Sequence, residues 1–354
     1  MKLNKYLSID GACLARFQDL YARYRLLYDD PENCSPMIIV NTPSESAASW
    51  EDRLSDPLVM LKEELDSLRP HLEMGDDRVP TVRVQFGTAQ VAAAFGCAIY
   101  VPKNSLPAAG SHVLETAADA RGLKMPALDS GWYGKLAEWT EIWKKNLPQG
   151  IHIQHPDIQS AFNSAHLIRG NDILTDFYDS PGEVDILLDK VTDFMLAITR
   201  HVKSMISNDH EWFFDWGAMW KGAARISNCS MQMISPELYR KHVLPRDIRF
   251  FESIGGGRMH YCGITGEVTD DFLKVPLLSG LDFDCSRHDF HEICRHAPRK
   301  TTLVLSGIGE KTPQLERLLK GDWPAKRNIV VIASAGSFAA GQTLLGQLRD
   351  SIPC

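Results

Sequence analysis

Eight short apolar runs recur along the chain, and a stretch with helical spacing follows each of them. They are Met37–Asn41, Pro80–Gly87, Gly150–Asp157, Ala224–Cys229, Met259–Cys262, Gly280–Cys285, Thr302–Gly307 and Asn328–Ser334. Ile329-Val330-Val331-Ile332 is apolar throughout, with no polar alternation. A strand covered on both faces reads this way, and right-handed βαβ crossovers cover both faces of a parallel sheet. The rhythm predicts an α/β fold, a single (β/α)8 barrel. A chain of 354 residues, 44% of them hydrophobic, is long enough and apolar enough to build it. No internal repeat or low-complexity linker divides the chain, so residues 1–354 read as one domain. Ahead of the first run, Leu14, Phe17, Leu20, Tyr21, Tyr24 and Leu27 recur at helical spacing. Residues 1–36 are therefore expected to form a helical extension packed outside the barrel.

The formal net charge of −7 gives no electrostatic case for nucleic acid or an anionic membrane as partner. Met1–Lys5 is not followed by the apolar run of a signal peptide, and no apolar stretch is long enough to span a bilayer. The expectation is a cytoplasmic protein. Its eight cysteines (13, 34, 97, 229, 262, 285, 294 and 354) then stay thiols, most of them as small core residues.

The chemistry concentrates in Gly255–Gly263. A helix beginning at Ser235-Pro236-Glu237 runs into three glycines, which read as a helix stop rather than a phosphate loop. A short strand follows and ends in His260-Tyr261-Cys262. Alternate residues of a strand face one side, so imidazole and thiol are expected to share a pocket. A soft donor pair at a strand end suits a thiophilic metal such as zinc. The alternative is a core cysteine beside a hydrogen-bonded histidine. Trp212, Phe213, Phe214, Trp216 and Trp220 form an aromatic cluster, read either as pocket wall or as outer packing. His291, Cys294 and His296 in SRHDFHEICRH could bind metal, and otherwise read as a solvated helix face.

Ile234–Gly263, ISPELYRKHVLPRDIRFFESIGGGRMHYCG, resembles the uroporphyrinogen decarboxylase superfamily, as does His155–Phe194. The resemblance runs over roughly the whole chain after Met37 and implies a TIM barrel with its pocket at the C-terminal strand ends. One branch of that superfamily decarboxylates uroporphyrinogen without a cofactor, and its arginines after the first strand hold carboxylates. Here that place reads Asn41-Thr42-Pro43-Ser44-Glu45-Ser46, without arginine, and Phe86-Gly87-Thr88 replaces the aspartate after its second strand. The other branch moves methyl groups to or from a corrinoid, with zinc held by His-x-Cys and a later Cys. His260 and Cys262 match the first part, but the last strand ends in Ala333-Ser334-Ala335-Gly336-Ser337. Cys229 and Cys285, each at the end of a neighbouring strand, are candidates to complete the metal set, and Asp284, Asp157 or His155 could supply a ligand if they face inward.

The resemblance thus implies a methyltransferase or demethylase, closer to the corrinoid-linked branch than to the decarboxylases. It acts on a small molecule, using zinc and a corrinoid supplied by a partner protein. His260, Asp157 and His155 are its candidate catalytic residues, and Gln154, Asn228 and Trp220 its candidate substrate contacts. Two alternatives stay open. One is a metal-free decarboxylase-like lyase with His260 as general acid. The other is a non-catalytic ligand-binding barrel.

Overall fold

The computed structural model describes residues 2–44, 48–263, 268–325 and 328–353. The expectations placed on Glu45, Ser46 and Cys354 lie outside them. Among the described residues, each of the eight expected runs contributes a strand, and the aromatic stretch 212–221 adds two that were not expected. These are β1 (Met37–Asn41), β2 (Thr81–Val82), β3 (His152–Ile153), β4 (Ile158–Gln159), β5 (Trp212–Asp215), β6 (Ala218–Lys221), β7 (Ala224–Ser227), β8 (Gly257–His260), β9 (Leu278–Asp284), β10 (Thr302–Gly309) and β11 (Ile329–Ser334). Seven of them make one parallel sheet in the order β1-β11-β10-β9-β8-β7-β4. β2 and β3 form a separate parallel pair, and β5 and β6 an antiparallel hairpin.

The strand order is compatible with a barrel, but among the described residues the hydrogen-bond ladder does not close into the expected ring of eight. The gap lies between β1 and β2. There the N–H groups of Ile38 and Val40 donate to the carboxylates of Asp77 (2.7 Å) and Asp76 (2.9 Å) instead of to a strand. Pro80, just ahead of β2, has no N–H to offer a ladder; its carbonyl takes the N–H of His152 at 3.0 Å. The third expected strand, Gly150–Asp157, is likewise split. His152–Ile153 pairs with β2, and the chain joins β7 only at Ile158–Gln159.

Helices cover the outer face. Pro57–Met74 starts on Asp56, whose side chain accepts the N–H of Leu58, and stops at left-handed Gly75. The 26-residue helix Pro181–Ile206 buries Val184, Leu188, Val191, Met195 and Ile198 along one stripe. The helical stretch from Pro236 to Ile254 opens into a π turn at Tyr239–Val243, just before Pro245, whose missing N–H disrupts regular pairing. It ends at Gly255 (φ 80°), the stop expected there.

The N-terminal helix Gly11–Asp29 does not simply lie outside the barrel. Phe17, Leu20, Tyr24 and Leu27 pack against Trp212, Phe213 and Met219 of the hairpin and against inward residues near the strand starts, Met37, Val304 and Val330. Helix and hairpin together plug the N-terminal end of the sheet. Of the aromatic cluster in the sequence, Trp212, Phe213, Phe214 and Trp220 belong to this plug, and Trp216 does not. No helix among the described residues is long and apolar enough to cross a membrane.

Candidate metal centre

Cys229 begins the short turn after β7, His260 ends β8, and Cys262 lies two residues beyond it. The ligand atoms of these three residues all lie within 4.8 Å of one another. Cys229 and His260 are half-buried and Cys262 is exposed, so the group opens to solvent on one side. Adjacent parallel strands carry their loops out together, and the Asn228 N–H donates to the His260 carbonyl at 2.9 Å, tying one loop to the other. Two thiols and an imidazole make a donor set for zinc with a fourth position left open, as catalytic zinc requires.

The register of β8 and β9 puts Asp282 beside His260, and Nδ1 of His260 donates to Asp282 Oδ2. That leaves Nε2 for a metal. A carboxylate behind a ligating imidazole fixes tautomer and ring orientation. Burial pushes the imidazole toward neutrality, but the charge of Asp282 outweighs it, with both cysteines assisting, and the pKa rises to about 11. The hydrogen bond from His260 draws the Cys262 thiol below its usual range, while burial pushes Cys229 up. Without metal the cluster is therefore an imidazolium beside an incipient thiolate, and a metal entering it must displace protons.

Below this layer lies a buried ionic lattice. Arg258 forms ion pairs with Asp282 (2.8 Å) and Asp215 (2.9 Å), and its guanidinium lies 4.8 Å and 4.9 Å from the ring centroids of Trp216 and Trp220. Asp215 also pairs with Arg83, and Arg225 pairs with Asp157 at 2.9 Å. Burial opposes ionisation of Asp215, yet Arg258, Arg83 and Arg225 hold its carboxyl below the usual range. Three arginines thus meet three aspartates, a balance that a dry interior demands. Gly280 makes room for it: a Cβ there would come 2.6 Å from the Trp220 ring and 3.0 Å from Arg258 Cγ.

The tip of the β5–β6 hairpin reaches up through the sheet. Trp216 sits there at φ 51°, a left-handed conformation uncommon outside glycine. Its indole lies 5.0 Å from the His260 ring, centroid to centroid. It also walls a cavity of about 340 Å³ with Ile39, Asn41, Gln85, Gln154 and Ile332 among the lining residues.

Several expected site residues lie elsewhere. Cys285 is fully buried in the apolar core, its thiol pushed well up by burial, and joins no metal group among the described residues. It follows Asp284 on β9, so alternation turns it outward. His155 is buried and its Nδ1 bonds the Pro156 carbonyl; burial pulls it down to about 4, leaving a neutral ring outside the pocket. Asn228 donates to Asp247 at 2.7 Å behind the strand. Trp220 is buried beneath Arg258, its Nε1 on the Asp215 carbonyl, and does not line the cavity. Gln154 does line it, and accepts from Arg83 at 3.2 Å. Asp157 serves the ionic lattice. His291 pairs with Asp322, Cys294 is buried rather than solvated, and His296 is exposed; among the described residues they form no metal group.

Asp282, Arg258, Asp215, Arg83 and Arg225 were not singled out by the sequence. Strand alternation carried a signal for two of them: Arg258 lies two residues before His260, and Asp282 two before Asp284.

No protein-family model matches the sequence, and no curated protein matches it. Among solved structures, a methyltransferase from Methanosarcina mazei has a similar fold, with a TM-score of 0.69 over 94% of this chain and 97% of that one, at 15% identity.

Proposed function

We propose that this chain is a methyltransferase or demethylase with a zinc-type site at Cys229, His260 and Cys262. It moves a methyl group between a small methylated substrate or thiol and a corrinoid carried by a partner protein. The meeting of those three donors, with Asp282 on the far nitrogen of the imidazole, carries the reading. The fold likeness to a methyltransferase agrees with it.

A bound zinc ion would hold a substrate thiol as thiolate or polarise the oxygen of a methyl ether. The protein's own residues supply the rest. Asp282 keeps the proton on Nδ1, so Nε2 stays aimed at the two thiols. Arg258, held by Asp215, keeps Asp282 ionised. Trp216 walls the reacting end from the lattice below. For demethylation, a partner's corrinoid in its Co(I) state would supply the electron pair that takes up the methyl group, while a zinc ion held by Cys229, His260 and Cys262 would stabilise the oxygen that keeps the pair of the broken C–O bond.

A metal-free lyase that uses His260 as general acid is less suited to this geometry. Asp282 holds the proton to about pH 11, far above the operating range of an efficient acid. The test supplies the zinc-loaded protein with free cob(I)alamin and a panel of methyl ethers and methyl thioethers. The corrinoid spectrum should report methylation, and Cys229→Ala and Cys262→Ala should abolish it. Undiminished turnover by metal-free Cys262→Ala would overturn the reading.

A further inference from the structure

A cavity of about 250 Å³ lies where β7 and β8 begin, at the other end of these strands from Cys229, His260 and Cys262. Arg200, Lys203 and the imidazole of His210 line it, with Thr199, Ala223 and Ile254 among its other walls. None of its lining residues is acidic. Cations in the last turns of a helix such as Pro181–Ile206 are ordinarily explained by the carbonyls left free at a helix end. That explanation fits Arg200, which is exposed and donates to the Ser253 carbonyl at 2.7 Å, where the helix Leu244–Ile254 ends. It does not fit Lys203, which is buried and turns from its own helix to the Trp212 carbonyl.

Two buried groups line this cavity with their hydrogen bonding incomplete. An ammonium has three protons to donate. Among the described residues, Lys203 gives one to Trp212 and meets no second acceptor. Burial pulls its pKa down to about 8, against the opposing charge of Asp209. Asp209 does not line the cavity, and its Oδ1 accepts the N–H groups of Glu211 and Trp212 at 2.9 Å. The Glu211 carboxylate in turn lies 3.5 Å from Lys221. The second group is Thr199. A threonine hydroxyl inside a helix commonly bonds the carbonyl four residues back, as Thr192 does with Leu188 at 2.7 Å. Thr199, about two turns further along the same helix, is fully buried and its hydroxyl has no partner. A buried hydroxyl and a buried ammonium short of acceptors are both costly, and one oxyanion in the cavity would serve both.

We propose that this cavity binds a phosphoryl group, either as inorganic phosphate or as the head of a small phosphomonoester. Lys203 and the Thr199 hydroxyl take its inner oxygens, and Arg200 and His210 take the outer ones. Ala223 and Ile254 leave an apolar wall for the carbons of an ester. Two permanent cations suit a dianion better than the single charge of a carboxylate. The inference does not rest on the methyl-transfer reading, because the two sites lie at opposite ends of β7 and β8.

Calorimetric titration at fixed ionic strength tests this. Chelator-treated protein is used, so that no metal captures the phosphate. The ligands are inorganic phosphate, glycerol 3-phosphate, glycerol and acetate. At least one phosphate should bind about tenfold or more tighter than acetate, and glycerol should not bind. A tighter ester would name the ester as the ligand, and equal affinity the phosphoryl group alone. Lys203→Met should weaken phosphate binding at least about tenfold, and the isosteric Thr199→Val about fivefold. Arg200→Gln changes an exposed side chain, so it keeps the test open if the buried variants fold poorly; it should cost about threefold. No phosphate binding, an affinity no better than that of acetate, or unchanged affinity in the folded variants would each overturn the proposal.

Discussion

His260 is held between two demands. Its Nδ1 needs the carboxylate of Asp282, and its Nε2 faces two thiols that become metal ligands only when protons leave. Replacing Asp282 by Asn should therefore weaken zinc affinity by about 10–100-fold, read by competition with a chromophoric chelator. Unchanged affinity would mean that the carboxylate does not orient the ligand. Proton release also sets the pH dependence. The His260 proton, at about pH 11 without metal, is displaced on binding, so zinc affinity should rise with pH between about 6 and 8. Calorimetry in buffers of different ionisation enthalpy should report net release of protons. Asp282 itself escaped the sequence reading because it sits inside the apolar run Leu281-Asp282-Phe283, where a charge reads as an interruption. Only the pairing of β8 with β9 shows that it meets His260.

Among the elements, the β5–β6 hairpin is the one that the sequence disguised. Trp212–Lys221 reads as an aromatic cluster because both of its strands are short and rich in Trp and Phe. Asp215, the last residue of its first strand, anchors Arg83 and Arg258. Asp215→Asn leaves those guanidinium groups uncompensated, and should cost about 3–5 kcal/mol in denaturant unfolding. A loss under about 1 kcal/mol would show that the lattice does not depend on this carboxylate. The helix after β7 offers a second test. Burial raises Asp247 to about 7, with Asn228 and Tyr239 as its only hydrogen-bond partners among the described residues. The unfolded chain ionises it near 3.8, so the native state binds the extra proton between about 4 and 7. This group's contribution to stability therefore falls as pH rises through that window. Asp247→Asn should remove that slope and raise the melting temperature at pH 8 relative to wild type.

At the scale of the whole molecule, the chain builds a parallel barrel wall and then seals its seam with side chains. Long apolar runs such as β9, β10 and β11 were legible because burial on both faces writes itself into composition. The short β2 and β3 were legible only as places, since two residues of pairing leave little pattern. The seam was not legible at all: Asp77 meets Ile38, Arg23 and Arg349, joining β1 to the first and last helices over hundreds of residues. The Cys229–His260–Cys262 group was half legible. His260 and Cys262 are neighbours in sequence, whereas the choice of Cys229 over Cys285 depends on which way each strand end turns. The most direct test is therefore the zinc content of untagged protein and three variants. The account predicts about one zinc per chain in wild type and in Cys285→Ala, and loss from Cys229→Ala and Cys262→Ala. Zinc-free wild type, or zinc kept by Cys229→Ala and lost by Cys285→Ala, would contradict it.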